Sequence, residues 1–186
     1  RRDLGYYHTP RSLAVLRLLN PLATRITANC DAARVAASQL EKVDLPKIDV
    51  LYNGVDLHAF RNSNHASAEP AVPVPADGKV VGIVANYRPV KDLPLFLKAA
   101  AVVAREEPEA VFLLVGTGTM EPELKELARS LGIADRTIFT CGRGAVPAYL
   151  HRMSVACLSS ASEGLSQVRC GESSWDSPGE TGGPTA

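Results

Sequence analysis

Residues 79–85 read KVVGIVA, and residues 110–115 read AVFLLV, ahead of Gly116-Thr117-Gly118. Each is a nearly unbroken apolar run of strand length, and each gives way at once to turn residues. Runs of that kind suit strands buried on both faces, the signature of a parallel sheet rather than a half-exposed antiparallel one. What lies between and beyond them agrees. Asp92 to Ala104 places Phe96, Ala99, Ala100 and Val103 on one helical stripe. Pro122 stands where a first helical turn tolerates proline, and Leu124, Leu127, Ala128 and Leu131 follow at helical spacing. Thr137–Thr140 predicts a third strand, Val146–Arg152 a short helix and Val155–Ser159 a fourth strand. Apolar strands alternating with amphipathic helices predict an α/β domain with helices on both faces of a parallel sheet.

Upstream the pattern is looser. Pro10 to Leu22 is apolar on one face through Leu13, Leu16 and Leu19, and Asn20-Pro21 kinks or ends that helix. A short β-branched run at residues 25–29 precedes a helix from Asp31 to about Val43. Pro46 breaks it, and Ile48–Tyr52 predicts another strand before the Asn53-Gly54 turn. Residues 60–78, with Pro70, Pro73 and Pro75, have linker composition. Residues 168–186 show no periodicity; without an apolar face to offset the entropy of ordering, they are expected to lack stable structure.

The bulk numbers narrow the function classes. The chain has 186 residues, 46% hydrophobic and 22% charged, a globular balance. Twenty basic and twenty acidic residues cancel, which gives the chain as a whole no electrostatic claim on nucleic acid. No apolar run approaches the roughly 20 residues that span a bilayer. Cys30, Cys141, Cys157 and Cys170 are widely separated and fit neither metal-ligand spacing nor a disulfide framework, so a reducing cytoplasm is the expected compartment. The N-terminal Arg1-Arg2-Asp3 reads as the middle of something longer.

Open parallel sheets bind ligands beyond the carboxyl ends of their strands, and four segments fall there. Arg88 and Lys91, two cations at a strand-to-helix turn beside a helix N-terminus, form either a diphosphate site or a pair of solvated surface charges. Gly116-Thr117-Gly118 allows close backbone approach to a ligand, or is the ordinary way out of a strand. Cys141 to Pro147 is a strand-exit loop that presents backbone to a base, or a plain turn. Ser162-Glu163-Gly164-Leu165-Ser166 offers a carboxylate to hydroxyls and amides to a phosphate, or is a solvated turn.

Taken together, VGIVANYRPVKDLPLFLKAA, FLLVGTGTMEPELKELARSLGIADRTIF and VPAYLHRMSVACLSSASEGLS resemble the donor-binding domain of family 4 glycosyltransferases. LYNGVDLHAF resembles the crossing into that domain, and RRDLGYYHTPR through ITANCDAAR the end of the one before it. The resemblance covers residues 1–167. It implies the GT-B fold, two Rossmann-like domains facing across a cleft. Residues 1–53 would be the end of the first, acceptor-side domain, 54–78 the linker and 79–167 the donor domain. The implied reaction moves a sugar from a nucleoside diphosphate to a glycan, lipid or small-molecule acceptor, with retention of configuration. Arg88 and Lys91 would hold the diphosphate, and Glu163 would act catalytically on the sugar hydroxyls. The amides of Gly164, Leu165 and Ser166 would lie near the α-phosphate. Gly116 and Gly118 would line the nucleotide cleft, and the loop from Arg143 to Val146 would border the base.

The resemblance implies no metal and no cofactor beyond the donor itself, since basic side chains and helix dipoles can stabilise the leaving diphosphate. Peripheral membrane contact through the rest of the first domain stays open. His8 lies after the place where the family's acceptor-side histidine is expected, which favours a structural role over that of a base. A second glutamate is expected at position 171, where Gly171 stands, with Glu172 one place late. Reading one nucleotide forward across Trp175 and Asp176 restores an expected glycine, so a frameshift after about Gln167, or a truncated or chimeric gene, would explain the tail. The chain alone is expected to be inactive. A non-catalytic nucleotide-binding module and a sugar-nucleotide epimerase of the same fold are the alternatives; a dinucleotide dehydrogenase is disfavoured because no G-x-G-x-x-G opens the first helix.

Overall fold

The computed structural model describes residues 1–2, 4–5, 8–54, 74–75, 78–142 and 146–162. The linker between residues 55 and 73, the tail from residue 163 onward and the loop 143–145 lie outside them.

The N-terminal unit comprises helix α1 (Pro10–Leu19), strand β1 (Ile26–Ala28), helix α2 (Asp31–Glu41) and strand β2 (Ile48–Val50). The two strands pair in parallel, Ile26 opposite Ile48, and α2 covers them through Ala33 and Ala37, joined by Cys30 and Val43. α1 begins with Pro10 at its first turn and Thr9 as its cap, with Thr9 and Ser12 capping each other reciprocally. It ends at Leu19, where Asn20-Pro21 turns the chain into a 3-10 turn. No residue of α1 is buried; the stripe anticipated through Leu13, Leu16 and Leu19 is only half covered, and Leu19 stays exposed.

The C-terminal unit contains strand β3 (Val80–Val84), helix α3 (Leu93–Glu106), strand β4 (Val111–Val115), helix α4 (Glu121–Ser130), strand β5 (Thr137–Thr140), helix α5 (Val146–Arg152) and strand β6 (Val155–Cys157). All strand pairings are parallel, in the order β5-β4-β3-β6. Strand periodicity of two divides the sheet residues between two cores. Ile83, Phe112 and Leu114 pack with α3 and α4 on one face. Val80, Leu113 and Val115 pack with Tyr149, Leu150 and Met153 on the other. Both faces are therefore covered, which is why these strands carry apolar runs instead of alternation. Val74, a linker residue by composition, is buried in the second of these cores.

The buried face of α3 consists of Leu93, Phe96, Leu97, Ala100, Ala101 and Ala104. Ala99, assigned to that face by helical spacing, is exposed. The helix sits rotated toward Leu97 because that leucine buries more apolar area than an alanine methyl. Among the described residues, no helix is long and apolar enough to cross a membrane.

Candidate functional site

β3, β4 and β5 follow one another in one direction across the sheet, and β6 then returns to pair on the far side of β3. The reversal lies between β3 and β6, and the crevice such a reversal leaves at the carboxyl edge is where open α/β sheets take ligands. Two loops flank it, one leaving β3 and the other leaving β6.

The β3 loop is the hub of this edge. It begins beside the β4 exit: the Ala85 N–H donates to the Val115 carbonyl and the Tyr87 N–H to the Thr117 carbonyl, both at 2.9 Å. Tyr87 then turns inward. It is fully buried, its hydroxyl donates to the Leu114 carbonyl at 3.0 Å, and its ring meets Phe139 edge-on at 6.3 Å. Burial, with the nearby Glu121 charge and Cys141 adding to it, pushes the phenol well above its ordinary range, so Tyr87 serves as a neutral donor.

Gly116 and Gly118 fit against this loop. A Cβ at Gly116 would lie 1.9 Å from the Ala85 carbonyl oxygen, and the backbone there has φ of 153°. A Cβ at Gly118 would lie 2.3 Å from the Tyr87 carbonyl oxygen. Both glycines are thus required by loop-against-loop packing, whatever else they line.

Beyond Tyr87 the chain makes a 3-10 turn, Pro89–Lys91, closed on itself. Arg88 N–H donates to the Asn86 carbonyl at 2.8 Å, Lys91 N–H to Arg88 at 3.0 Å and Asp92 N–H to Pro89 at 3.1 Å. Val90 is buried beneath it and Arg88 is exposed. On its other side the turn is bonded to the β6 loop: Ser159 Oγ donates to the Lys91 carbonyl at 2.7 Å, and the Ala161 N–H donates to the Val90 carbonyl at 2.9 Å. The fold therefore brings Arg88, Lys91 and the segment running toward Glu163 to the two lips of one crevice.

The helix N-terminus beside the two cations differs from the anion site anticipated from the sequence. Asp92 adopts a left-handed conformation, φ 43° and ψ 48°, and its carboxylate accepts from the Leu95 N–H at 3.4 Å. Pro94, the second residue of the helix, has no N–H to offer. The positive end of α3 already faces a carboxylate, so an anion here would rest on the Arg88 and Lys91 side chains rather than on helix amides.

Val146 opens α5, half-buried and packed into the core under β4. Arg143, Glu163, Gly164, Leu165 and Ser166 lie outside the described residues. An open groove of about 710 Å³ runs from Gly118 along α4. Its charges are spent on one another, Lys125 with Glu121 at 2.7 Å and Arg129 with Glu126, and neither Arg88 nor Lys91 lines it. Those two cations stand instead on the β3 loop, at the strand-order reversal.

His8 sits in the N-terminal unit with its Nε2 3.7 Å from Glu41 Oε1. Glu41 is buried and held by Arg1, whose Nε and Nη2 reach one carboxylate oxygen each at 2.7 Å, and by Asn20 Nδ2 at 3.0 Å. Burial pushes the Glu41 carboxyl up, but the hydrogen bonds from Arg1 and Asn20 and the charges of Arg1 and His8 outweigh it. The net shift is below the ordinary range. His8 thus has a structural partner. Nothing in the spacing of Arg1, Asn20 and Glu41 announces this cluster. Nor does the sequence mark Tyr87 as core or Ser159 as a contact, since each lies in a polar loop.

Comparison with known proteins gives the class. Residues 66–168 match the family model described as Glycosyl transferases group 1, more than half of the chain, and the chain belongs to that family. It is 33% identical over 157 residues to a D-inositol 3-phosphate glycosyltransferase of Kribbella flavida, covering 78% of this chain and 37% of that one. A Mycobacterium leprae protein of the same name is 34% identical over 118 residues, 63% of this chain and 28% of its own length. The chain spans about a third of the length of these curated relatives.

Among solved structures, the HepE protein of Anabaena in complex with UDP superposes with a TM-score of 0.75 at 22% identity, covering 92% of this chain and 49% of that chain. TarM of S. aureus superposes at 0.70 with 14% identity, over 94% of this chain and 34% of its own. These likenesses establish the fold, which is of the GT-B type.

Proposed function

We propose that this chain carries the donor half of a retaining glycosyltransferase of family 4, which takes a nucleoside-diphosphate sugar and passes the sugar to a glycan, lipid or small-molecule acceptor. The observation that carries this reading is the hydrogen-bonded pair of loops at the strand-order reversal, with Arg88 and Lys91 on one of them. Support comes also from the relatives named as glycosyltransferases and from a structural neighbour captured with UDP.

In this reading the diphosphate lies in the crevice, and the two cations take up the charge that develops on the leaving group as the glycosidic bond breaks. Preorganised cations do this at little reorganisation cost, and their effect grows as water is excluded. With Asp92 already seated at the start of α3, the side chains bear that task. A guanidinium grips two oxygens in a fixed fork, whereas an ammonium acts as a compact point charge. Glu163, with the amides of Gly164 to Ser166, is assigned to the sugar and the α-phosphate by the resemblance alone. The 186-residue chain by itself holds the donor without transferring it, because transfer needs acceptor and donor in one cleft.

The test is calorimetric titration of the chain with UDP, GDP and ADP. Lys91→Ala should weaken diphosphate binding by about 1.5–3 kcal/mol, roughly ten- to a hundredfold in Kd. Arg88→Ala should cost at least as much, and the corresponding nucleoside should be nearly indifferent to both changes. Equal diphosphate affinity in both variants would show that the phosphate site lies elsewhere.

A further inference from the structure

We propose that Ser159 is a positioning residue of the donor site, holding the Arg88–Lys91 turn against the β6 loop and thereby setting where the Lys91 ammonium points. The inference rests on the reading of that turn as the diphosphate site.

The turn's internal bonds fix its shape but not its placement. Placement comes from the Tyr87 N–H on the Thr117 carbonyl, the buried Val90 side chain, the two bonds to the β6 loop, and Leu93, fully buried where α3 begins. The first two hold the start and the middle of the turn. The bonds from Ser159 and Ala161 reach its end, where Lys91 leaves the backbone, and Leu93 anchors the helix that follows. Of these, the Ala161 bond uses a main-chain N–H that any residue but proline would supply. The Ser159 bond is a side-chain bond, so it belongs to this sequence rather than to the fold. It is short, at 2.7 Å, and part-buried, joining residues 68 positions apart.

The accepting atom is the carbonyl of Lys91 itself. Rotation of that peptide would swing the Cα–Cβ direction and move the end of a flexible four-carbon side chain by much more than the backbone moves. Loss of the Ser159 hydroxyl therefore leaves every charge at the site in place and removes only its aim. A site that must hold cations to within a fraction of an ångström of productive geometry depends on such supporting bonds.

The experiment uses the full chain titrated with UDP, GDP and ADP, and with the matching monophosphates. Ser159→Ala should raise the diphosphate Kd about three- to tenfold, the scale of one hydrogen bond, and change monophosphate binding less. Ser159→Thr keeps the hydroxyl and should restore affinity to within about twofold. Ser159→Cys, a weaker donor of similar size, should fall between Ala and the unmodified chain. In a Lys91→Ala background the Ser159→Ala change should add nothing, because the side chain it aims is gone. A merely structural role would weaken the double variant by the same factor again, and that result overturns the proposal. So does unchanged diphosphate affinity in Ser159→Ala or Ser159→Cys while the unmodified chain binds. If the unmodified, folded chain binds none of the three diphosphates, the donor-site reading falls and this inference with it.

Discussion

Replacing Gly116 by alanine would put a methyl carbon 1.9 Å from the Ala85 carbonyl oxygen. An ordinary carbon–oxygen contact is about 3.3 Å, so the β3 and β4 exits must part by roughly 1.4 Å. Parting them stretches the Ala85 N–H to Val115 and Tyr87 N–H to Thr117 bonds, each now 2.9 Å, at about 1 kcal/mol apiece. An L-residue at φ 153° adds about 1–3 kcal/mol of backbone strain. The whole cost is roughly 3–5 kcal/mol, a large part of the about 5–15 kcal/mol that stabilises a domain. Urea unfolding followed by circular dichroism measures it directly, with the slope checked for unchanged two-state behaviour. Gly132→Ala is the matched control: its φ is 72°, but nothing lies within 4 Å of the added Cβ, so it should lose only about 1–2 kcal/mol of strain. A Gly116→Ala variant within about 0.5 kcal/mol of the parent, or a Gly132→Ala variant equally unstable, would refute the claim that loop interlock demands Gly116.

Two further outcomes concern side chains that hold the fold. The Glu41 carboxyl is held below its unfolded value, so its contribution is fully present above about pH 4.3 and is lost as pH falls through the lower folded value. Urea midpoints of the N-terminal unit, followed by amide exchange between pH 7 and pH 3, should drop across that window. Glu41→Gln should remove most of the drop; an unchanged acid profile would mean that other carboxylates govern it. Arg136 donates to the carbonyls of Pro108 at 2.7 Å and Ala104 at 3.2 Å, closing the C-terminal end of α3. Arg136→Lys cannot reproduce that fork and should cost about 1.5 kcal/mol or more in the same unfolding assay; a loss below about 0.5 kcal/mol would show that solvent replaces these contacts without penalty.

Much of the framework could be read from local pattern. Val80–Val84 and Val111–Val115 sit within one residue of their apolar runs, and Thr137–Thr140 and Val146–Arg152 match residue for residue. Val80–Val84 and Val111–Val115 are legible because burial on both sheet faces forces a nearly unbroken apolar run, and Gly116 marks where the second run ends. Strand order was not legible. Whether β6 pairs with β3 or with β5 is decided by α5 docking on one face, and no residue in β6 encodes that alone. The buried face of α3 differs from the stripe that spacing predicts: Ala99 and Leu97 stand two positions, about 200°, apart on the helix, so burying Leu97 turns Ala99 to solvent. Arg88 and Lys91 could be named as candidates, but what fixes them could not. The Ser159 and Tyr87 contacts span 68 and 27 residues, beyond the reach of any local pattern. The Asp92 cap was equally hidden, since an aspartate at a helix start reads the same whether it leaves the amides free or occupies them.

The interlock of Gly116 and Gly118 with the β3 loop bears on how descent in this family should be judged. Those glycines answer to the backbone across from them, so a copy that had lost all catalysis, yet still had to fold, would stay under selection to keep both. Arg88 is exposed, and in such a copy it would be free to drift. An alignment in which the glycines are retained while position 88 varies would describe a lineage of scaffolds; working transferases should be sought where position 88 is constrained as tightly as the glycines.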